Sequence, residues 1–218
     1  MDVHGFVKAP KNDNCLYCGK PKVGHTENPS DVDVDTRAGG KPHEIIKGLT
    51  SIIMPVFIKD YSLFHYTGNA IGAIREHTDE AETPYEIVMV DNGSPIRLPD
   101  PKLYKVDKYV KNEENDGFTK AVNQGIRMSQ GEYVCILNND TMVFDGWLPD
   151  LIECLTELDL VMATPMYGEP FARAPEALQK VKKEKAKMLG ESFSDFRDFS
   201  CVLTKRALFD ELGLFDEQ

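Results

Sequence analysis

Three short polar clusters in this chain bring together the side chains that could do chemistry: Asp91-Asn92-Gly93-Ser94, Asn115-Asp116-Gly117 and Asn138-Asn139-Asp140. Carboxylate and carboxamide oxygens are hard donors, suited to Mg²⁺ or Mn²⁺ rather than to soft metals. A divalent ion held by such groups can neutralise a phosphate leaving group as a Lewis acid. Position strengthens the reading. Asn138-Asn139-Asp140 follows the apolar run Tyr133-Val134-Cys135-Ile136-Leu137, and Asp91 ends the run Tyr85–Val90. Apolar runs of that length are what buried strands need. A carboxylate just past such a strand faces the crevice at the carboxyl edge of an open α/β sheet, where these sheets bind their ligands. Asp91-Asn92-Gly93-Ser94 is also simply a set of turn-forming residues, and both readings stand at this point.

The flanking segments supply the elements that would hold these clusters. Thr50–Phe57 is a buried-strand run with Pro55 near its end, where a ladder donor can be spared. Tyr61–His77 carries apolar residues at helical spacing, although Gly68 and Gly72 weaken that helix. Strand, helix and strand in that order imply parallel strands joined by a right-handed crossover. The spacing places a third strand at Lys102–Val106. Phe118, Ala121, Val122 and Ile126 form a helical face, and Trp147–Leu158 reads as an amphipathic helix. Further strands are expected at Leu160–Thr164 and Ser200–Thr204, with a short helix over Lys205–Leu212 ending at Gly213. The 165–175 stretch, with Pro165, Pro170 and Pro175, reads as a loop over the site.

Composition limits what else the chain can be. Its 218 residues suffice for one α/β domain with an appendage. The apolar fraction of 41% and charged fraction of 28% are those of an ordinary globular protein. No apolar run reaches the length of about 18 residues needed for a transmembrane helix, and the polar start lacks a signal-peptide core. A net charge of −11 argues against a broad nucleic-acid footprint. The odd count of five cysteines suggests reduced thiols and a cytoplasmic location. Residues 1–48 read as an irregular polar arm, and 49–218 as the folded domain. Within the arm, Cys15 and Cys18 with His25 resemble half of a zinc knuckle, a reading that competes with unligated thiols. The lysines of Lys180–Lys187 form either a solvated helical face or a patch for an anionic surface.

Residues Thr50–Gln218, about three quarters of the chain, resemble the family 2 nucleotide-sugar glycosyltransferases. The resemblance rests on blocks in family order. These are Met54-Pro55-Val56-Phe57, Ile87–Ser94, the N-x-G-F-x-x-A-x-N-x-G-I pattern from Asn115 to Ile126, Leu137–Thr141 with Gly146-Trp147-Leu148, and Gly213–Glu217. It implies a GT-A fold: a Rossmann-like, mostly parallel central sheet flanked by helices. It also implies an inverting, metal-dependent transferase that moves a sugar from a UDP- or dTDP-sugar to a glycan, lipid-linked or protein acceptor. By the same resemblance Asp140 is the carboxylate that holds Mn²⁺ or Mg²⁺, while Asn138 stands where the family's D-x-D motif begins with an acid. Asp91 and Asn92 are then on the base side, with Asp91 accepting a pyrimidine N–H. Pro55, Val56 and Phe57 wall the base and ribose. Asn115, Gly117, Asn123, Asn138 and Asn139 line the nucleotide and donor sugar.

The catalytic base is the open part of the resemblance. The family places it downstream of the Phe215-Asp216-Glu217 block, and the sequence ends at Gln218. The base is therefore expected in a C-terminal part beyond this chain, or at Asp198 within it; Asp198 could equally pair with Arg197 in a surface loop. A polypeptide that binds donor without transferring it is the third possibility. Two other readings compete: a sugar-phosphate nucleotidyltransferase, whose Gly-rich basic stretch is missing from Met54–Asp60, and a zinc-dependent adaptor on a degenerate scaffold.

Overall fold

The computed structural model describes residues 44–96, 98, 101–157, 160–165 and 199–217. In chain order the elements are β1 (Ile46–Val56), α1 (Phe64–His77), β2 (Tyr85–Asp91), β3 (Lys108–Lys111), α2 (Phe118–Met128), β4 (Gly131–Leu137), α3 (Trp147–Glu157), β5 (Met162–Ala163), β6 (Cys201–Lys205) and α4 (Ala207–Leu212). The strands form one sheet in the order β3-β2-β1-β4-β6-β5. β1, β2, β3 and β4 run parallel, while β6 pairs antiparallel with both β4 and β5. The sheet is mixed, with a parallel half that follows from helical crossovers.

Alternation along the central strands divides the core into two layers. Ile52, Met54, Ile87, Met89, Cys135 and Leu137 pack on one face with residues of α1 and α3, including Ile74, Leu148 and Leu155. Ile53, Val88, Val90, Val134 and Ile136 pack on the other with Ala121, Val122 and Ile126 of α2. Both faces of these strands are covered, which is why the strands read as continuous apolar runs. α2 approaches β1 so closely that a Cβ at Gly125 would lie 2.4 Å from Ile53 Cγ2. Any larger residue there must push helix and sheet apart.

At the amino edge of the sheet, Glu86 is 7% exposed and joins four segments. Its Oε1 accepts from Ser51 Oγ and from the Gln130 amide, both at 2.6 Å, and Lys108 Nζ lies 2.8 Å from Oε2. Nearby, Arg206 donates to the carbonyls of Gly131 at 2.6 Å and Ile126 at 3.2 Å, and to Ser129 Oγ at 2.5 Å. The guanidinium thereby adds a third donor to a carbonyl at the end of α2 that also accepts from the Ser129 amide and hydroxyl.

Several boundaries differ from the sequence reading. The expected third strand at 102–106 is instead a 3-10 turn, Pro101–Tyr104, and β3 begins at Lys108. Pro101 and the left-handed Lys105, at φ 53°, favour the turn. β1 starts at Ile46, slightly inside the expected arm, and β5 comprises only two residues. A 3-10 turn at Tyr61–Leu63 precedes α1, with Asp60 Oδ1 accepting from the Ser62 amide at 2.8 Å.

Candidate functional site

The chain places β2 and β3 on one side of β1 and then returns to lay β4 on the other. The carboxyl ends of β1 and β4 therefore flank a topological switch point, the crevice where open α/β sheets take their ligands. A cavity of about 260 Å³ opens there, lined by Pro55, Val56, Phe57, Asn92, Asn115, Phe118, Asn138, Asn139 and Asp140. Eight of these nine residues are sequence candidates that the fold brings together. Phe118 was missed as a site residue because its helical spacing marked it for packing, yet its ring is 45% exposed. Its place one residue after the Gly117 cap was the available signal.

Asn92 organises the wall formed by the 112–117 loop. It is 4% exposed and uses its full carboxamide capacity. Nδ2 donates to Asn115 Oδ1 at 2.9 Å and to the Gly117 carbonyl at 3.0 Å. Oδ1 accepts from Asn112 Nδ2 at 3.0 Å and from the Asp116 amide at 3.3 Å. The next residue, Gly93, has φ 75°, and a Cβ there would lie 2.3 Å from the Glu114 carbonyl carbon. Asn115 Oδ1 also accepts the Gly117 amide at 2.9 Å. That oxygen is thus engaged within the loop, and the amide N–H₂ is the end of Asn115 left for the cavity.

Asp91, for which the resemblance implies a base contact, sits beneath the cavity wall. It is fully buried, and it is not among the cavity-lining residues. Oδ1 accepts the Ser94 amide at 2.9 Å, closing the turn. Oδ2 accepts from Tyr109 Oη at 3.3 Å and lies 3.2 Å from Lys111 Nζ. Burial, then the Asp91 charge and its hydrogen bond, push the Tyr109 phenol well above its ordinary pKa. Reading a base N–H requires an accessible oxygen, and Asp91 exposes none in this conformation. Asn123 is also fully buried away from the cavity lining. Its Oδ1 accepts the Phe215 amide at 3.1 Å, while Nδ2 donates to the Phe215 carbonyl and to Glu217 Oε1, both at 2.8 Å. Gly117 caps α2 with φ 90° and has open space where a Cβ would stand.

The opposite wall is the loop after β4. The Asn138 amide donates to the Ser200 carbonyl at 2.9 Å, and the Thr141 amide to the Asn138 carbonyl at 3.1 Å, fixing the start of the loop. Asp140 is exposed, and no described residue donates to or pairs with its carboxylate. Asp140 with the carboxamide oxygens of Asn138 and Asn139 makes an all-oxygen donor set. This set fits Mg²⁺ or Mn²⁺ whose remaining ligands come from a phosphate-bearing partner. Among the described residues, no group of three or more His, Cys, Asp or Glu gathers around a common point. The candidate base Asp198, the Cys15, Cys18 and His25 set, and the lysines of Lys180–Lys187 lie outside the described residues.

Comparison with known proteins agrees with this architecture. Residues 51–213 match the model of Glycosyl transferase family 2. An uncharacterised glycosyltransferase of Rickettsia bellii is 26% identical over 120 residues, covering 54% of this chain and 16% of its own. One of Rickettsia conorii is 32% identical over 124 residues, covering 55% of this chain and 19% of its own. The matched region is thus under a fifth of the length of either relative. Among solved structures, S. aureus TarS 1–349 superposes with a TM-score of 0.55 at 17% identity, covering 78% of this chain and 50% of that one. The mannosyltransferase PcManGT of Pyrobaculum calidifontis, solved with GDP-Man and Mn²⁺, gives 0.57 at 18% identity, covering 78% and 48%. These superpositions show a shared GT-A fold. The family match spans most of the chain and includes both strand ends that build the cavity, so this protein belongs to glycosyl transferase family 2.

Proposed function

We propose that the chain is the donor-binding part of a metal-dependent, inverting glycosyltransferase that uses a UDP- or dTDP-sugar. One observation carries the reading: the Asp140 carboxylate, which no described residue pairs with, faces a cavity at the switch point beside Asn138 and Asn139. Solved relatives of this fold include TarS in complex with UDP and with UDP-GlcNAc. Family membership favours glycosyl transfer over sugar-phosphate nucleotidyl transfer. The acceptor is a glycan, lipid-linked glycan or protein. Cys135, Cys154 and Cys201 as reduced thiols would suit a reducing cytoplasm.

Asp140, with carbonyl oxygens of Asn138 and Asn139, would hold Mn²⁺ or Mg²⁺, which would stabilise the charge that grows on the departing diphosphate. Pro55, Val56 and Phe57 form an apolar wall for the base and ribose, and Phe118 adds a second aromatic surface. Asn115 offers N–H donors from the wall that Asn92 braces. Asp91 closes the 91–94 turn on the base side of the site, where the resemblance has it accept a pyrimidine N–H. The base that deprotonates the acceptor is assigned to Asp198 or to a C-terminal carboxylate.

The test is calorimetric UDP binding with and without Mn²⁺, on the parent and on Asp140→Ala. The expected result is metal-dependent binding that weakens at least about tenfold in the variant, the loss of a charged ligand to the ion. Failure of UDP, dTDP and GDP to bind with either ion would make the domain a scaffold.

A further inference from the structure

α1 braces the loop that carries Asp140. Asn139 Nδ2 donates to Thr67 Oγ1 at 2.9 Å, and His77 Nδ1 pairs with Asp145 Oδ1 at 2.5 Å. Just past the helix, Thr78 Oγ1 accepts from Trp147 Nε1 at 2.8 Å. Of these three contacts, the first alone reaches a residue that lines the cavity. Thr67 is 2% exposed, so water does not compete for its hydroxyl.

A carboxamide has a donor end and an acceptor end, and holding one fixes where the other points. With Nδ2 turned inward to Thr67, Oδ1 is the end of Asn139 left for the cavity, and no described residue donates to it. We propose that Thr67 is a positioning residue of the donor site, whose buried hydroxyl holds the Asn139 amide in the arrangement seen here, with Oδ1 facing the ligand. The assignment rests on the donor-site reading above. Asn139 Oδ1 and the Asp140 carboxylate together make this wall electron-rich. It attracts a cation or a ligand hydroxyl and repels bare phosphate oxygens. The reversed amide would present two N–H donors and soften that selection.

The experiment measures UDP binding to the full chain, with and without Mn²⁺, for the parent, Thr67→Val, Thr67→Ser, Asn139→Ala and the Thr67→Val/Asn139→Ala double variant. Val keeps the volume and removes the hydroxyl; Ser keeps the hydroxyl and removes a methyl. Thr67→Val is expected to weaken binding about three- to tenfold, the effect of one hydrogen bond, and Thr67→Ser to stay within about twofold of the parent. On the Asn139→Ala background, Thr67→Val should add nothing, because coupled residues are not additive. A loss confined to the Mn²⁺ arm assigns Oδ1 to the ion's shell, and a loss in both arms assigns it to a nucleotide hydroxyl. Unchanged binding by Thr67→Val, Thr67→Ser weaker than Thr67→Val, or a Val effect that persists in full without Asn139 overturns the proposal while leaving the donor site standing. If the parent binds no nucleotide with either ion, the donor-site reading fails and the Thr67 assignment falls with it.

Discussion

At the scale of single residues, the site is built from carboxamides whose two ends are sorted by their neighbours. Asn92 shows this most fully, with both donors and both acceptor positions engaged. Its carboxamide holds Asn115 and Gly117 in place. Asn92→Ala leaves several loop groups unsatisfied and is expected to cost about 1–3 kcal/mol of stability. Asn92→Asp is nearly isosteric, yet it aims an oxygen at Asn115 Oδ1 and at the Gly117 carbonyl. It should therefore destabilise at least as much as Ala at neutral pH. Urea denaturation of both variants decides the point, and an Asp variant as stable as the parent would count against this account. Residue types alone announced that Asp91, Asn92 and Asn139 matter. They did not announce direction, because an Asn on a wall and an Asn beneath it look the same in sequence. Asp91, read from the resemblance as a base contact, also anchors the 91–94 turn from a strand covered on both faces.

At the scale of elements, the continuous apolar runs 52–54, 85–90 and 133–137 were legible as buried strands, because strands covered on both faces need no polar alternation. The antiparallel course of β6 was not legible, because an apolar run carries no direction. β3 was misplaced because Leu103 and Val106 look strand-like while Pro101 and Lys105 bend the backbone. Asn123 belongs to the same lesson. It clasps the 214–217 segment onto α2 through both amide ends, while Arg127 adds an ion pair to Glu217 at 3.1 Å. Phe215 packs edge-on against Phe209 and Phe199, with ring centroids 5.6 and 6.0 Å apart. The clasp joins this segment to the helix together with the packing of Leu214 and Phe215 on the α2 layer of the core. Asn123→Ala should raise the hydrogen-exchange rate of the Phe215 amide by at least about tenfold, with little change at amides of β4. Equal acceleration at both would mean that the segment and the sheet open as one unit.

At the scale of the molecule, the two edges of the sheet divide the labour between binding and cohesion. At the carboxyl edge no described residue pairs with Asp140, whereas the amino edge leaves Glu86 no freedom, tying Ser51 of β1, Lys108 of β3 and the entry to β4 around it. Burial alone would raise the Glu86 pKa, but hydrogen bonds from Lys108, Ser51 and the Gln130 amide together outweigh it and hold the carboxyl below its ordinary value. A carboxyl with a lower pKa folded than unfolded stabilises the fold above its unfolded pKa of about 4.3, and that contribution is lost as pH falls through the folded value. Glu86→Gln keeps the shape and removes the charge that Lys108 faces, at an expected cost of about 1–3 kcal/mol near pH 7. For a chain of this size that is a fall of roughly 2–4 °C in Tm per kcal/mol. The gap between parent and variant should be widest at neutral pH and shrink below about pH 4.5, as protonation removes from the parent the charge that the variant already lacks. Thermal melts from pH 3 to 8 measure this directly, with UDP binding at neutral pH expected to stay at the parent value. A constant gap across that range would show that Glu86 holds the strands by hydrogen bonding alone, with its charge contributing nothing.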